Sequence, residues 1–305
     1  MSLKLTILGC HSATPRVNAH PTSQLLEIKN HYFLIDCGEG TQVQLRKYKV
    51  KFAAIKRIFI SHLHGDHIFG LIGLISTFRI LNRESELHIY GPKGIKEIIT
   101  IQLKLSNSWT HYPLLFHELT SSESELLYED DNVEVYTIPL DHRIYTNGFL
   151  FREKKGERKL NMNAILNCEE IERCDYQNLK NGKDFILKNG KVIKNEDLTS
   201  NPPNPLSYAF CSDTCFYPKI VPQIKNVSCL YHETTFLNDK EALAATTKHS
   251  TAQQAATIAL QANVKQLIIG HYSGRYKNIE AFKTEALEVF ENIHLALEGT
   301  VFEIS

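Results

Sequence analysis

Apolar residues arrive along the first third of the chain in short runs: LKLTIL at 3–8, QLLEI at 24–28 and YFLI at 32–35, each stopped by polar or glycine-containing turns. That spacing predicts a strand meander. Residues 41–48 have helical spacing, 56–60 read as a strand, and IFGLIGLISTFRIL, residues 68–81, is apolar nearly all round, as a buried helix would be. A strand at 86–90, a helix at 94–105 and strands near 113–117 and 132–138 follow. After residue 205 the pattern returns with strands in SYAFCSDT, CLYHETTF and KQLIIGHYSGRY, helices at 251–262 and 278–289, and a strand at 300–304.

Between these halves the pattern changes. Residues 152–200 are polar and charged, with FREKKGERK, EEIER and FILKNGKVI, whose Asn189-Gly190 predicts a two-residue hairpin turn. The segment reads as an arm inserted into one domain spanning residues 1–305. The sequence contains no repeat of short period.

Chemistry collects where strands end. SHLHGDH, residues 61–67, puts three histidines and an aspartate on a loop between an apolar strand and an apolar helix. Core filling would require a separate partner for each buried polar group, so metal ligation is the better account. His142 in PLDHRI, Asp213 in SDT and His271 in GHYSGRY also close predicted strands. Alone, either His142 or His271 is as readily a structural residue as a ligand. Together with His62, His64, Asp66 and His67 they make an imidazole and carboxylate set suited to zinc, with manganese, iron or cobalt possible. His62 and His64 can face one ion, Asp66 and His67, beyond Gly65, a second, and Asp213 can bridge the two.

Composition narrows the classes. Thirty-four basic against thirty-four acidic residues give no formal charge, so any nucleic-acid footprint must be local. Seven scattered cysteines, never spaced as close pairs, are expected to be reduced thiols. The start lacks a basic leader and no apolar run approaches the ~18 residues of a membrane span, so a soluble, cytoplasmic protein is expected.

SHLHGDH resembles the signature of the metallo-β-lactamase superfamily. With LTILG, FLIDCGEGTQVQL, SDT, HETTF, HSTAQQAA and GHYSGRY, nearly the whole chain is similar to the ribonuclease Z family. The resemblance implies a mixed α/β (α+β) fold, a four-layer αββα sandwich, and an endonuclease removing the 3′ trailer of precursor tRNA after the discriminator nucleotide. It implies two Zn²⁺ per subunit, with His62, His64 and His142 on one, Asp66, His67 and His271 on the other and Asp213 between. Asp66 would orient or deprotonate the attacking water, and His249, oriented by Glu233, would protonate the leaving 3′ oxygen. Arg275 would contact phosphate near the cleaved end, and the arm, with Arg152, Lys154, Lys155, Arg158 and Lys159, would grip the tRNA. A homodimer without membrane or DNA partners is implied as well.

Three stretches depart from the family pattern: ERCDYQ stands where the arm commonly has Gly-Pro, Ser212 where glycine often precedes the bridging aspartate, and HSATPRVNAHPTS only loosely matches the N-terminal loop. Two rival readings are a small-molecule phosphodiesterase or arylsulfatase on the same ligands and an RNA-binding protein with structural metals. The long basic arm argues against the first, and Glu233 and His249 against the second.

Overall fold

The apolar runs of the N-terminal third pair side by side in the computed structural model, which describes residues 3–14 and 16–305. β1 (Leu3–Gly9), β2 (Ser23–Ile28), β3 (His31–Ile35), β4 (Ile55–Phe59), β5 (Leu87–Pro92) and β6 (Leu114–Leu119) lie in chain order. The first three strands are antiparallel, and β3 to β6 run parallel. Parallel neighbours need crossovers, which are supplied by the helices Thr41–Lys47, Leu71–Ile80 and Ile95–Leu105. Two of these helices are entered through left-handed glycines, Gly40 (φ 81°) and Gly94 (φ 102°).

The second sheet starts with β7 (Leu126–Glu129), β8 (Val133–Pro139) and β9 (Asn147–Glu153). Then come the short strands of the inserted segment, β10 (Lys159–Leu160), β11 (Phe185–Ile186), β12 (Val192–Ile193) and β13 (Thr199–Ser200). β14 (Ser207–Cys211), β15 (Cys229–Glu233), β16 (Leu267–Gly270) and β17 (Ile293–Leu295) complete the second sheet as parallel neighbours, in the order β17-β16-β15-β14-β9-β8-β7. β18 (Val301–Ile304) returns to the first sheet beside β1, Leu3 opposite Ile304.

The sheets meet through aromatic side chains. Phe33 stacks on Phe151 at 5.4 Å between ring centres, and Phe59 meets Phe149 at 5.4 Å. All four rings are fully buried, each stabilising the fold by roughly 1.5–3 kcal/mol. Outside the first sheet, Leu71, Leu74, Ile75 and Phe78 pack with Ile95, Ile99 and Leu103. Outside the second, the small residues Ala252, Ala255, Ala256 and Ala259 let the helix Ala252–Gln261 lie close to the strands, beside Phe282. Helix, sheet, sheet and helix make the four layers of the αββα sandwich. No helix among the described residues is long and apolar enough to cross a membrane.

The structure corrects several local readings. The helix expected over 68–81 is broken. A short helix, Gly65–Ile68, precedes Leu71–Ile80, and at Gly70 an added Cβ would lie 2.0 Å from the Gly38 carbonyl oxygen. Nor is that segment buried all round, since Phe69, Ile80 and Leu81 are exposed. β7 and β9 were not foreseen. β7 has exposed residues at both ends, and β9 carries Gly148, which reads as a turn but is needed because a Cβ there would lie 2.3 Å from the Phe210 carbonyl oxygen. β17 and the helix Glu241–Thr247 also escaped the pattern.

Contacts divide the chain into two compact units, residues 1–152 with 206–305, and residues 153–205. The smaller unit has its own apolar centre of Ile165, Ile171, Leu179 and Leu198. The Asn195 amide donates to the Leu179 and Lys183 carbonyls, both at 2.8 Å. The hairpin around Asn189-Gly190 is present with a wider loop than expected: Gly190 donates to the Leu187 carbonyl at 2.8 Å and itself takes φ 83°. A turn followed by a left-handed glycine is the three-residue form of hairpin. Arg158 donates to Thr199 Oγ1 at 2.7 Å and to Asn201, while Lys155 and Lys159 are exposed. Arg152 belongs to β9 in the larger unit, donating to the Gln223 carbonyl at 3.3 Å.

Candidate metal centre and active site

Parallel strands aim their C-terminal ends at one edge of the sandwich, and ligands gather at such edges. His62, His64, Asp66 and His67 follow β4, His142 follows β8, Asp213 follows β14 and His271 directly follows β16. Their donor atoms converge into two groups. His62, His64, His142 and Asp213 offer atoms all within 4.8 Å of one another, and so do Asp66, His67 and His271. Asp213 reaches into both. Its Oδ2 lies 3.8 Å from His62 Nε2 and 4.0 Å from His142 Nε2, its Oδ1 3.5 Å from His67 Nε2 and 3.2 Å from His271 Nε2.

These atoms are arranged as ligands are. Bonds of ~2.1 Å in a tetrahedron put neighbouring ligand atoms about 3.4 Å apart. Asp66 Oδ2 is 3.4 Å from His67 Nε2 and 3.5 Å from His271 Nε2. Both Nε2 atoms are buried without a hydrogen-bond partner, a costly state unless a cation takes their lone pairs. The opposite ring nitrogens are held: His67 Nδ1 by Asp36 Oδ2 at 2.7 Å, His271 Nδ1 by Thr235 Oγ1 at 2.8 Å, His142 Nδ1 by the Lys248 carbonyl at 2.8 Å, and His62 Nδ1 by Ser61 Oγ at 3.0 Å. Each fixes a tautomer whose free lone pair faces the centre.

The electrostatics agree. Burial, reinforced by neighbouring imidazoles, holds His62 well below its usual pKa, and burial lowers His64 and His142 too, so this trio is neutral as metal ligands must be. Around His67 burial is overcome by Asp66, Asp213 and Asp36, which drive the imidazole well above its usual range. Three carboxylates therefore demand positive charge at the second group, and a divalent cation supplies it in place of a proton.

A further group of close donors, Asp213, Glu233, His249 and His271, is a hydrogen-bonded system rather than a third ion site. Glu233 Oε1 accepts from His249 Nδ1 at 2.7 Å, and Thr235 Oγ1 donates to Glu233 Oε2 at 2.5 Å. Burial alone would lower His249, but the Glu233 carboxylate raises it to about 9. The imidazole therefore stays protonated at neutral pH, with Nε2 left for the cavity it lines.

That cavity, of about 940 Å³, is walled by His64, Asp66, Asp213, His249 and His271, with Arg143 and Arg275 at its sides. The structure thus brings together all seven sequence-predicted ligands, Glu233, His249 and Arg275. Arg152 is not among the residues that wall it, and Lys155, Arg158 and Lys159 belong to the smaller unit. Sequence reasoning missed the supporting residues. Asp36, the one charge in the apolar run FLIDC, accepts from Ser61 N at 2.7 Å besides holding His67. Ala13 N donates to Asp66 Oδ2 at 2.9 Å, and Ser212 Oγ donates to Asp213 Oδ1 at 2.8 Å, so the residue that departs from the family pattern supports the bridging carboxylate.

Comparison with known proteins gives this geometry its family. The chain is 46% identical to ribonuclease Z of Bacteroides fragilis over 97% of each chain, and 45% identical to that of Cytophaga hutchinsonii over 100% of this chain and 97% of that one. The chain belongs to the ribonuclease Z family. It is accordingly a hydrolase of metallo-β-lactamase fold with a histidine and aspartate site for divalent metal. The human short-form tRNase Z superposes over 99% of both chains with a TM-score of 0.71 at 26% identity. The Bacillus subtilis metallo-β-lactamase fold protein YhfI shares the fold with a TM-score of 0.69 at 18% identity, over 99% of this chain and 100% of that one. A profile described as anti-Pycsar protein Apyc1 matches residues 3–111, the part that holds the SHLHGDH loop.

Proposed function

We propose that this ribonuclease Z is a zinc-dependent endonuclease that cuts precursor tRNA after the discriminator nucleotide, leaving a 3′-hydroxyl on the tRNA and a 5′-phosphate on the trailer. The observation that carries the reading is the convergence of seven candidate ligands, Asp213 close to both groups, with His249, held by Glu233, on the wall of the same cavity. Two zinc ions are the natural occupants, one on His62, His64 and His142, the other on Asp66, His67 and His271, with Asp213 serving both. Bound there, they supply Lewis acidity, acidifying a water and drawing charge from the phosphodiester.

The chain's own groups do the rest. Asp66, held by Ala13 N, orients the water and accepts its proton. As the new P–O bond forms and the P–O3′ bond breaks, His249 Nε2 delivers a proton to the departing 3′ oxygen. Glu233 keeps Nδ1 engaged and the imidazole charged until then. Arg275, at the cavity wall, offers its guanidinium fork to phosphate oxygens near the cleaved end.

The unit 153–205 acts as the arm that grips the body of the tRNA, through Lys154, Lys155, Arg158 and Lys159, while Arg152 contributes from the end of β9. A homodimer working in the cytoplasm completes the reading. The test is a 5′-labelled precursor with a 3′ trailer, zinc-loaded protein, and Asp66→Ala as control. One metal-dependent cut after the discriminator base, absent from the variant, is expected. Hydrolysis of small phosphodiesters without any cut in the precursor would overturn the reading.

A further inference from the structure

Arg143 follows the ligand His142 directly and lines the active-site cavity, exposed, on the side of His64 and His249. The ring of His142, the residue before it, lies 5.1 Å from the ring of His64 and 5.1 Å from that of His249. Among the described residues its guanidinium has no hydrogen-bond or ion-pair partner. Other arginines are engaged by the protein: Arg83 binds the Ser85 and Glu86 carbonyls, each at 2.8 Å, Arg57 lies 3.7 Å over the Tyr128 ring, and Arg16 donates to His11 at 3.0 Å. The Arg143 guanidinium is left unpaired at a wall that also carries the carboxylates of Asp66 and Asp213. A free guanidinium fork at the wall of a phosphodiester-cleaving cavity is suited to a phosphate, and in the proposed function the scissile phosphate is already engaged by the centre and Arg275.

We propose that Arg143 binds the phosphate one nucleotide on the 5′ side of the cut, the last internucleotide phosphate of the tRNA product. The side follows from the chemistry: His249 protonates the 3′ oxygen of that product, so the departing ribose lies towards His249, whose ring is 5.1 Å from that of His142, the residue before Arg143. Arg275 lines the same cavity with its guanidinium 5.9 Å over the Phe236 ring. A fork on the neighbouring phosphate fixes the register of the strand without reading its bases. It also favours a polynucleotide over any substrate with a single phosphodiester.

The inference rests on the proposed precursor cleavage, and the experiment separates the two. Precursors are made with a methylphosphonate, which lacks the anionic oxygen, in place of the phosphate one step 5′ or one step 3′ of the cut, and kcat/KM is measured for wild type, Arg143→Gln and Arg143→Lys. With the natural precursor, Arg143→Gln should lose about 10- to 100-fold and Arg143→Lys less. The 5′ methylphosphonate should cost wild type a similar factor and Arg143→Gln almost nothing further, whereas the 3′ methylphosphonate should affect both proteins equally. Independent, multiplying losses at the 5′ position would overturn the inference, as would coupling at the 3′ position instead. So would loss of bound metal or of thermal stability in Arg143→Gln, which would make the residue structural. If wild type fails to cut the natural precursor, it is the functional reading that falls.

Discussion

Two sheets packed through Phe33, Phe59, Phe149 and Phe151 hold the larger unit together, whereas the unit 153–205 closes on four buried side chains, Ile165, Ile171, Leu179 and Leu198. The larger unit has apolar surface to spare, and it uses the surplus to hold seven candidate metal ligands, His64 and Asp66 of them half-buried, and a carboxylate–imidazole dyad at one edge. The smaller unit leans on polar bonds, with Asn195 and Arg158 tying its turns, and keeps lysines at its surface. A rigid layer can fix atoms for chemistry, and a thinly cored unit suits contacts that need position less than charge.

The comparison predicts that damage on one side leaves the other standing. The largest effect should come from His67→Ala, which removes a ligand from the second group. Cleavage should fall by about 10⁴-fold or more, with metal stoichiometry falling too, while the protease resistance of the arm stays as in wild type. Next, His249→Ala should cost about 10²–10⁴-fold on precursor tRNA and much less on a diester with a nitrophenolate leaving group, which needs no proton. Because Glu233 raises His249 to about 9, Glu233→Gln should move the alkaline limb of the rate profile to lower pH. An unmoved limb would remove Glu233 from that role.

Asp36→Asn keeps the shape but weakens the hold on His67, and should cost about 10- to 100-fold in metal affinity or rate, read by zinc titration against a competing chelator. Leu179→Ala tests the other side. It should destabilise the arm by about 2–5 kcal/mol and open it to proteolysis, with bound metal retained and small-diester hydrolysis unaltered. Lost metal there would mean that the two units are not independent. The smallest effect belongs to Lys155→Gln with Lys159→Gln, which should weaken tRNA binding modestly and reduce the slope of log affinity against log salt by about 2.

Legibility in the sequence followed the same division. Strands β1 to β5 could be read because each buries a short apolar run, β6 from the apolar start of a strand that is buried only at Leu119, and the candidate ligands because polar residues at strand ends stand out against such runs. Glu233 and His249 needed the family resemblance, since neither has a local signal separating it from a strand-end glutamate or a residue before a helix cap. Asp36, Ser61 and Thr235 could not be read as ligand supports, because their roles depend on which ring nitrogen each meets across the fold. The same holds for β9, where Gly148 looks like a turn until the Phe210 carbonyl is placed against it. In the arm, short strands and a core of four residues leave too little periodicity to mark more than its hairpin.

Each ligand group draws two donors from each sheet: His62 and His64 with His142 and Asp213, Asp66 and His67 with His271 and Asp213. A divalent ion held there works as a coincidence detector for assembly. Half a chain, or two sheets not yet closed on their aromatic layer, presents only two donors and a weak site. Only the finished sandwich offers four. Since binding to the closed form alone shifts the folding balance by RT ln(1 + [L]/Kd), a divalent ion bound there would also act as a rivet between the layers. A preparation stripped of metal should therefore unfold at a lower temperature as well as lose its activity.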